Sequence, residues 1–420
     1  MKNTASRRAF APLLVLALVS TPGAAQEPWE LGPYQTGLRP LVYYTPESSS
    51  ALYGAVYGRT VYPALGSGLD AAPDLSGGPY PHIAFFHGWT VDTTHYTEIM
   101  HHLASWGFVV TGCDTNVGHD EPALSAGFAN DQRLLMEFLE AESAAPGAFL
   151  EGMFDFGDWG AVGHSFGAST SLTFSDVAPR LVALVAHQPY MGPDFGGTEP
   201  ADTQIADFAG GLAVVAGSVD VVTPAFLQNY VWYDAATSAS TRLFALVDGM
   251  GHTGAVDFTA QGEPMSADEQ ERVTWLFSTA FLQAEMHGES ALYDQLAGEA
   301  ALAEPWTIES GGTVPAFWAL DSVTQPDALA YGIAGDYGAS ALIAISPAPA
   351  AVPSAFGLIE VDLTLSTLLW SGALDAGTGI EELFAPIPPS ASGVDFYLQA
   401  LQLDGAGGGA VSPLVTWTAP

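Results

Sequence analysis

A single cysteine, Cys113, stands in a chain of 420 residues. Neither an internal disulfide nor a cysteine-rich zinc site can be built from it. Basic residues are nearly as scarce, with 9 Lys and Arg against 46 Asp and Glu and a formal net charge of -37. That balance excludes a nucleic-acid binder that works by neutralising phosphates. It equally excludes polybasic docking on anionic lipid. Beyond the N-terminus no stretch is long and apolar enough to span a bilayer. Past Arg272 there is no Lys or Arg at all. Such a surface is kept soluble by self-repulsion, which added salt relieves.

What the chain has is ample apolar material, 48% of residues, enough for a large core. Its length predicts two domains, or one large domain with an appendage. Residues 1–25 begin with Lys2, Arg7 and Arg8, continue through an apolar run over 13–19, and end on Gly23-Ala24-Ala25. This is the pattern of a secretory signal peptide cleaved near Ala25, and it predicts a mature chain outside the cytoplasm with no integral membrane segment. Cleavage there would remove three basic residues, among them the only lysine, and no acidic one.

From about residue 41 to 301, short apolar runs alternate with segments of helical period. Residues 82–86, 108–113, 159–163, 181–186, 212–216 and 243–247 read as buried strands, and 41–44 and 52–61 as an antiparallel start to the same sheet. Helices are expected near 95–105, 125–141, 166–176 and 224–235, with a long one opening at Ser266-Ala267-Asp268-Glu269 and another over 292–302. The alternation predicts an α/β fold, a mostly parallel central sheet with helices on both faces. After Glu304-Pro305 the runs 341–345, 358–364, 368–374 and 396–403 are punctuated by Gly, Pro and Ser and read as a small β-sandwich. The expected organisation is therefore a signal peptide over 1–25, a catalytic domain over 26–303, and an all-β accessory module over 306–420.

The chemistry concentrates in four places. Gly163-His164-Ser165-Phe166-Gly167 follows an apolar strand and precedes a helix rich in small residues, the context in which Gly-x-Ser-x-Gly presents a nucleophile. A serine hydroxyl needs a neighbouring base. Of ten histidines, His252 lies in the glycine-rich loop Asp248-Gly249-Met250-Gly251-His252-Thr253-Gly254, directly after the last apolar strand, and is the expected base. His82, His87, His101, His102, His119 and His287 read more simply as structural. Asp220, just after the strand over 212–216, would orient the imidazole, giving the chain order Ser, Asp, His. Asp248 competes for that role but reads better as a turn residue before Gly249. In His87-Gly88-Trp89-Thr90 a backbone N–H of Trp89 would pair with that of Phe166 as an oxyanion hole, leaving both side chains to line a cleft.

At these residues the chain resembles a known group. His87-Gly88-Trp89-Thr90, Leu103-Ala104-Ser105-Trp106-Gly107-Phe108-Val109-Val110 and Asp114-Thr115-Asn116 resemble the cutinase-type polyester (PET) hydrolases, members of the dienelactone-hydrolase-like α/β-hydrolases. Gly-His-Ser-Phe-Gly is equally similar to the platelet-activating-factor acetylhydrolases. The resemblance covers roughly residues 35 to 290 and implies an α/β-hydrolase fold and ester hydrolysis without metal or organic cofactor. It also implies that Trp89 and Tyr190, in His187-Gln188-Pro189-Tyr190, clamp the substrate around Ser165. The C-terminal disulfides usual in that group cannot form here, Phe166 stands where Met is usual, and Ala168-Ser169-Thr170 replaces a glycine run.

Only a Gly/Pro-rich connection separates the strands before 187 and after 211, which predicts no large lid and an open cleft for a bulky or polymeric ester. The expected protein is a secreted monomeric serine carboxylester hydrolase acting on an ester, polymeric or small, through an acyl-enzyme. Two other readings stand beside it: a lipid or small-ester esterase of acetylhydrolase or dienelactone-hydrolase type, and a non-catalytic binding protein on a hydrolase fold.

Overall fold

A computed structural model describes residues 26–48, 54–115, 125–191, 205–257, 263–322 and 324–420. The expected signal peptide, His119, Asn116 and most of the connection between 187 and 211 lie outside the described residues. Ten strands build the large sheet: β1 (Gln35–Tyr44), β2 (Ala55–Ala64), β3 (Gly68–Leu69), β4 (Tyr80–Phe86), β5 (Val109–Cys113), β6 (Phe154–His164), β7 (Leu181–His187), β8 (Gly211–Gly217), β9 (Arg242–Val247) and β10 (Trp306–Gly311). Their order is β10-β9-β8-β7-β6-β4-β5-β2-β1-β3. The six strands from β5 to β9 run parallel, and β2 and β10 pair antiparallel at either end of them.

Every residue of β4 is buried, because helices cover both faces of the sheet. Tyr80, Ala84 and Phe86 point into one core, which receives α2 (after α1, Thr97–Ser105; α2 is Ser125–Ser143), α3 (Phe166–Phe174) and α4 (Tyr230–Ala235). Ile83 and Phe85 point into the other, filled from α1 and α5 (Ala267–His287). The two-residue period of a strand thus feeds two cores at once, which explains the continuous apolar runs. The long helix α5 starts at Ser266, whose side chain accepts from the Glu269 amide, and stops at Gly288 with φ 72°. The helix expected over 292–302 is broken: only α6 (Tyr293–Ala297) is α-helical, and the Asp294 carboxylate accepts from the Glu299 amide at 2.9 Å beyond Gly298. Among the described residues no helix is long and apolar enough to cross a membrane.

The C-terminal part holds β11 (Ala316–Asp321), β12 (Ala328–Ala334), β13 (Ser340–Ser346), β14 (Pro349–Ser354), β15 (Gly357–Val361), β16 (Thr367–Ala373), β17 (Ile380–Pro386), β18 (Asp395–Leu403), β19 (Gly409–Val411) and β20 (Val415–Thr418). A three-stranded sheet, β11-β12-β17, faces a five-stranded one built on β16-β13-β18. Phe317, Leu329 and Ile333 of the first share a core with Ile343, Leu398 and Trp417 of the second. The composition change at Glu304-Pro305 does not mark the edge of the large sheet, however. The strand after it, β10, pairs with β9 from Trp306↔Val247 to Gly311↔Arg242 and belongs to that sheet. The otherwise open edge of β9 is thereby paired, the condition an apolar edge strand needs. Ala316, Trp318 and Ala334 also pack into the core beneath α5.

Glu140 of α2 is a buried junction. Its carboxylate accepts from Trp159 Nε1 at 2.7 Å, Arg180 Nη1 at 2.7 Å and His82 Nδ1 at 3.2 Å. Burial alone would raise its pKa, but the hydrogen bonds and charges of His82 and Arg180 outweigh that and hold it at about 2. Because the folded value lies below the unfolded one, this stabilisation is present above the unfolded carboxyl pKa and is lost as pH falls towards 2. Glu140→Ala leaves buried donors unpaired and is expected to cost roughly 2–4 kcal/mol at pH 7. Urea unfolding measures this, and the difference from the native protein shrinks as the pH is lowered below about 4.

Candidate active site

Strand β6 delivers Ser165 at its C-terminal end, where α3 begins one residue later. Ser165 has φ 56° and ψ -123°, a left-handed backbone that an L-residue adopts only under constraint. Main-chain bonds hold it there: its N–H donates to His187 O at 2.9 Å, and its carbonyl accepts from Tyr190 N at 3.2 Å. The flanking glycines are dictated by space. A Cβ at Gly163 would stand 2.6 Å from Gly167 O, and one at Gly167 would stand 2.2 Å from Phe86 O. The turn therefore lies in contact with the end of β4, and the serine hydroxyl projects from it.

Two loops at the same sheet edge meet that hydroxyl. His252 Nε2 lies 2.9 Å from Ser165 Oγ, and His252 Nδ1 lies 2.8 Å from Asp220 Oδ2. A carboxylate only accepts, so Nδ1 carries the proton and Nε2 is left to accept from the serine. Asp220 follows β8 and its side chain is fully shielded. Its Oδ1 accepts from the amides of Val222 and Thr223 at 2.8 and 2.9 Å, and the Thr223 hydroxyl is 2.6 Å from Oδ2. Burial would raise the Asp220 carboxyl, but the hydrogen bond and charge of His252, joined by Thr223, bring it below its ordinary range. The competing Asp248 is exposed and takes a hydrogen bond from Ser218 Oγ at 3.2 Å.

The structure thus brings Ser165, His252 and Asp220 into one hydrogen-bonded line, although they are scattered along the chain. Trp89 follows the end of β4 and is exposed, and the next residue, Thr90, has φ 63°. Tyr190 is half-buried beside the elbow, its carbonyl accepting from Ser169 Oγ. The Phe166 ring, expected to line the cleft, is buried and stacks on Phe128 with centroids 6.4 Å apart. The reason is local: the first turn of α3 lies against α2, and the ring fills that contact.

Several residues at the site are given no role by the sequence. Thr223 braces Asp220 from three residues away, a spacing an aspartate-turn reading could have flagged. Gln188, with φ 44°, and His187 connect β7 to Tyr190. Val221, Val222, Phe226 and Leu227, which follow Asp220 in the chain, are exposed, and Gln228 Oε1 accepts from Met191 N at 2.9 Å. The rings of His82, His102 and His187 bond outside the relay, to Glu140, Thr279 and Ser278 respectively. Among the described residues no group of His, Cys, Asp and Glu is placed to hold a metal ion.

A large mixed sheet with helices on both faces, and a serine lifted at a strand-to-helix elbow, is the architecture of an α/β-hydrolase. Residues 33–276 match the family model described as PET hydrolase-like, and the chain belongs to that family. It is in general terms an ester hydrolase of the polyester-hydrolase kind. A search of curated proteins finds no match.

The glycine geometry has a direct consequence. Gly167→Ala drives a methyl group into the Phe86 and His87 carbonyls, at 2.2 and 2.3 Å, and neither backbone can yield without moving β4. Loss of roughly 2 kcal/mol or more is expected. Thermal unfolding checks it, beside Gly147→Ala, where a Cβ meets nothing within 4 Å but a φ of 80° must still be strained.

Proposed function

We propose that this chain is a secreted serine carboxylester hydrolase that cleaves polyesters or their soluble ester fragments through an acyl-enzyme. The reading rests on one observation above the others, the relay Asp220–His252–Ser165 with donor-acceptor distances of 2.8 and 2.9 Å. In this reading Ser165 Oγ attacks the ester carbonyl while His252 Nε2 takes its proton. Asp220 fixes the tautomer and stabilises the imidazolium that forms. The backbone N–H groups of Trp89 and Phe166 receive the developing oxyanion, and α3 adds its N-terminal dipole. The alcohol departs with the proton from His252, and a water activated by the same imidazole then releases the acid.

Substrate class is argued from what surrounds the relay. Trp89 is exposed in the turn after β4, Tyr190 bonds the Ser165 carbonyl through its amide, and Val221, Val222, Phe226 and Leu227 are exposed apolar side chains following Asp220 in the chain. Such a surface favours an uncharged, apolar acyl or aromatic group, and the acidic surface elsewhere disfavours anionic substrates. Secretion is supported by the basic, apolar and small-residue pattern of residues 1–25. The β-sandwich after β10 is proposed to be an accessory module.

The mature protein, assayed on p-nitrophenyl butyrate and on a polyester film, is expected to hydrolyse both. Ser165→Ala should lower the rate on each by at least about 10⁴-fold, and Asp220→Asn by a similar order. Hydrolysis of the soluble ester alone would reassign it to small-ester esterases. Activity on neither would leave a binding protein on a hydrolase fold.

A further inference from the structure

A buried chain of hydrogen bonds lies directly behind the relay. Gly88 N donates to the Tyr96 hydroxyl at 2.9 Å. That hydroxyl is 2.8 Å from His164 Nδ1, and His164 Nε2 is 2.6 Å from the carbonyl oxygen of His252. Every proton in the chain can be assigned. The His252 carbonyl only accepts, so His164 Nε2 carries hydrogen and Nδ1 is the acceptor. Tyr96 then donates to Nδ1 and uses its lone pair for the Gly88 amide.

We propose that Tyr96 and His164 are positioning residues for ester hydrolysis, locking the Gly88-Trp89 turn, the Ser165 elbow and the His252 main chain into one register. The proposal rests on the serine-hydrolase reading above. Each end of the chain lies at a segment assigned a task there: Gly88 precedes Trp89, His164 precedes Ser165, and the final acceptor is the backbone of His252 itself. Tyr96 is fully buried and His164 nearly so. Burial, and then the neighbouring His252, push the His164 imidazole down to about 3, which favours its neutral form. The Tyr96 phenol is pushed up, chiefly by burial. Space is shaped for the contact as well. A Cβ at Gly88 would stand 2.8 Å from the Tyr96 hydroxyl and 3.3 Å from His164 Nδ1.

The other buried histidines make a useful contrast. His102 Nε2 donates to Pro28 O at 2.9 Å and has Thr279 Oγ1 at the same distance, remote from all three segments. A purely structural role for His164 would make its loss resemble the loss of His102.

The test is steady-state kinetics on p-nitrophenyl butyrate, with rates expressed per folded molecule, for Tyr96→Phe, His164→Gln, His164→Phe and His102→Phe. Tyr96→Phe and His164→Phe are expected to lower kcat about 10- to 100-fold with KM within about twofold, the signature of misplaced catalytic groups. His164→Gln, which keeps a donor near the Nε2 position, should recover part of kcat. His102→Phe should lower stability and leave kcat within about twofold. Unchanged kcat in both Tyr96→Phe and His164→Phe would overturn the proposal, as would an equal fall in His102→Phe. If Tyr96→Phe does not fold, the graded order of His164→Gln over His164→Phe decides alone. Failure of the underlying reading looks different: the native protein is inactive, or Ser165→Ala retains full activity, and the proposal falls with it.

Discussion

Ser165 occupies a left-handed backbone conformation, φ 56°, at a cost of about 1–3 kcal/mol for an L-residue. The surrounding molecule is arranged so that the turn has nowhere else to go. Strand β6 is paired on both sides, with β4 and β7, and arrives rigidly at the elbow. Glycines at 163 and 167 let the turn close against the carbonyls of Phe86 and His87. The His187 carbonyl takes the Ser165 amide, and the Tyr190 amide takes the Ser165 carbonyl. With the serine fixed, two loops from β8 and β9 need only bring Asp220 and His252 to the same sheet edge. Parallel strands do this by construction, since all their carboxyl ends lie together.

Scarce positive charge is the second organising constraint. With so few arginines against 46 carboxylates, three of them act as tertiary clamps. Arg180 bonds to Glu140 and lies 4.6 Å over the Trp159 ring. Arg272 joins α5 to Glu304 and faces the Trp29 ring at 5.3 Å, just ahead of β10. Arg242 stacks on Tyr233 and reaches Asp336 at 3.7 Å, beside the hydrogen bond between Tyr233 and Tyr337 hydroxyls at 3.0 Å. Partly buried contacts of guanidinium with carboxylate and aromatic faces keep more of their strength than fully exposed surface pairs. The C-terminal β-sandwich is joined to the large sheet through the Arg242–Asp336 and Tyr233–Tyr337 contacts and through the Trp318 core.

Much of this architecture is legible from the chain alone, for definite reasons. Strands such as β4 and β8 announce themselves because burial on both faces leaves almost no polar position, His82 in β4 being the exception. The start of α5 is marked by Ser266 and two acidic residues, and the elbow by glycines that geometry forces. What is hidden depends on distance along the chain. Strand β10, Trp-Thr-Ile-Glu-Ser-Gly, reads as the opening of a new module because its partner β9 lies far upstream and the intervening helix carries no pairing signal. The Tyr96–His164 contact spans 68 residues, and neither residue has a local pattern to betray it. The inward ring of Phe166 is set by Phe128 on another helix, which periodicity within α3 does not reveal.

The central claim is that Ser165 is a nucleophile made reactive by its hydrogen bond to His252. An alkyl fluorophosphonate probe followed by peptide mapping tests it most directly, because the probe reports the activated hydroxyl without reference to any substrate. One equivalent of label on the peptide containing Ser165, lost in His252→Ala while that variant stays folded, is the predicted result. Label on another residue, or equal labelling of Ser165 without His252, would contradict the account.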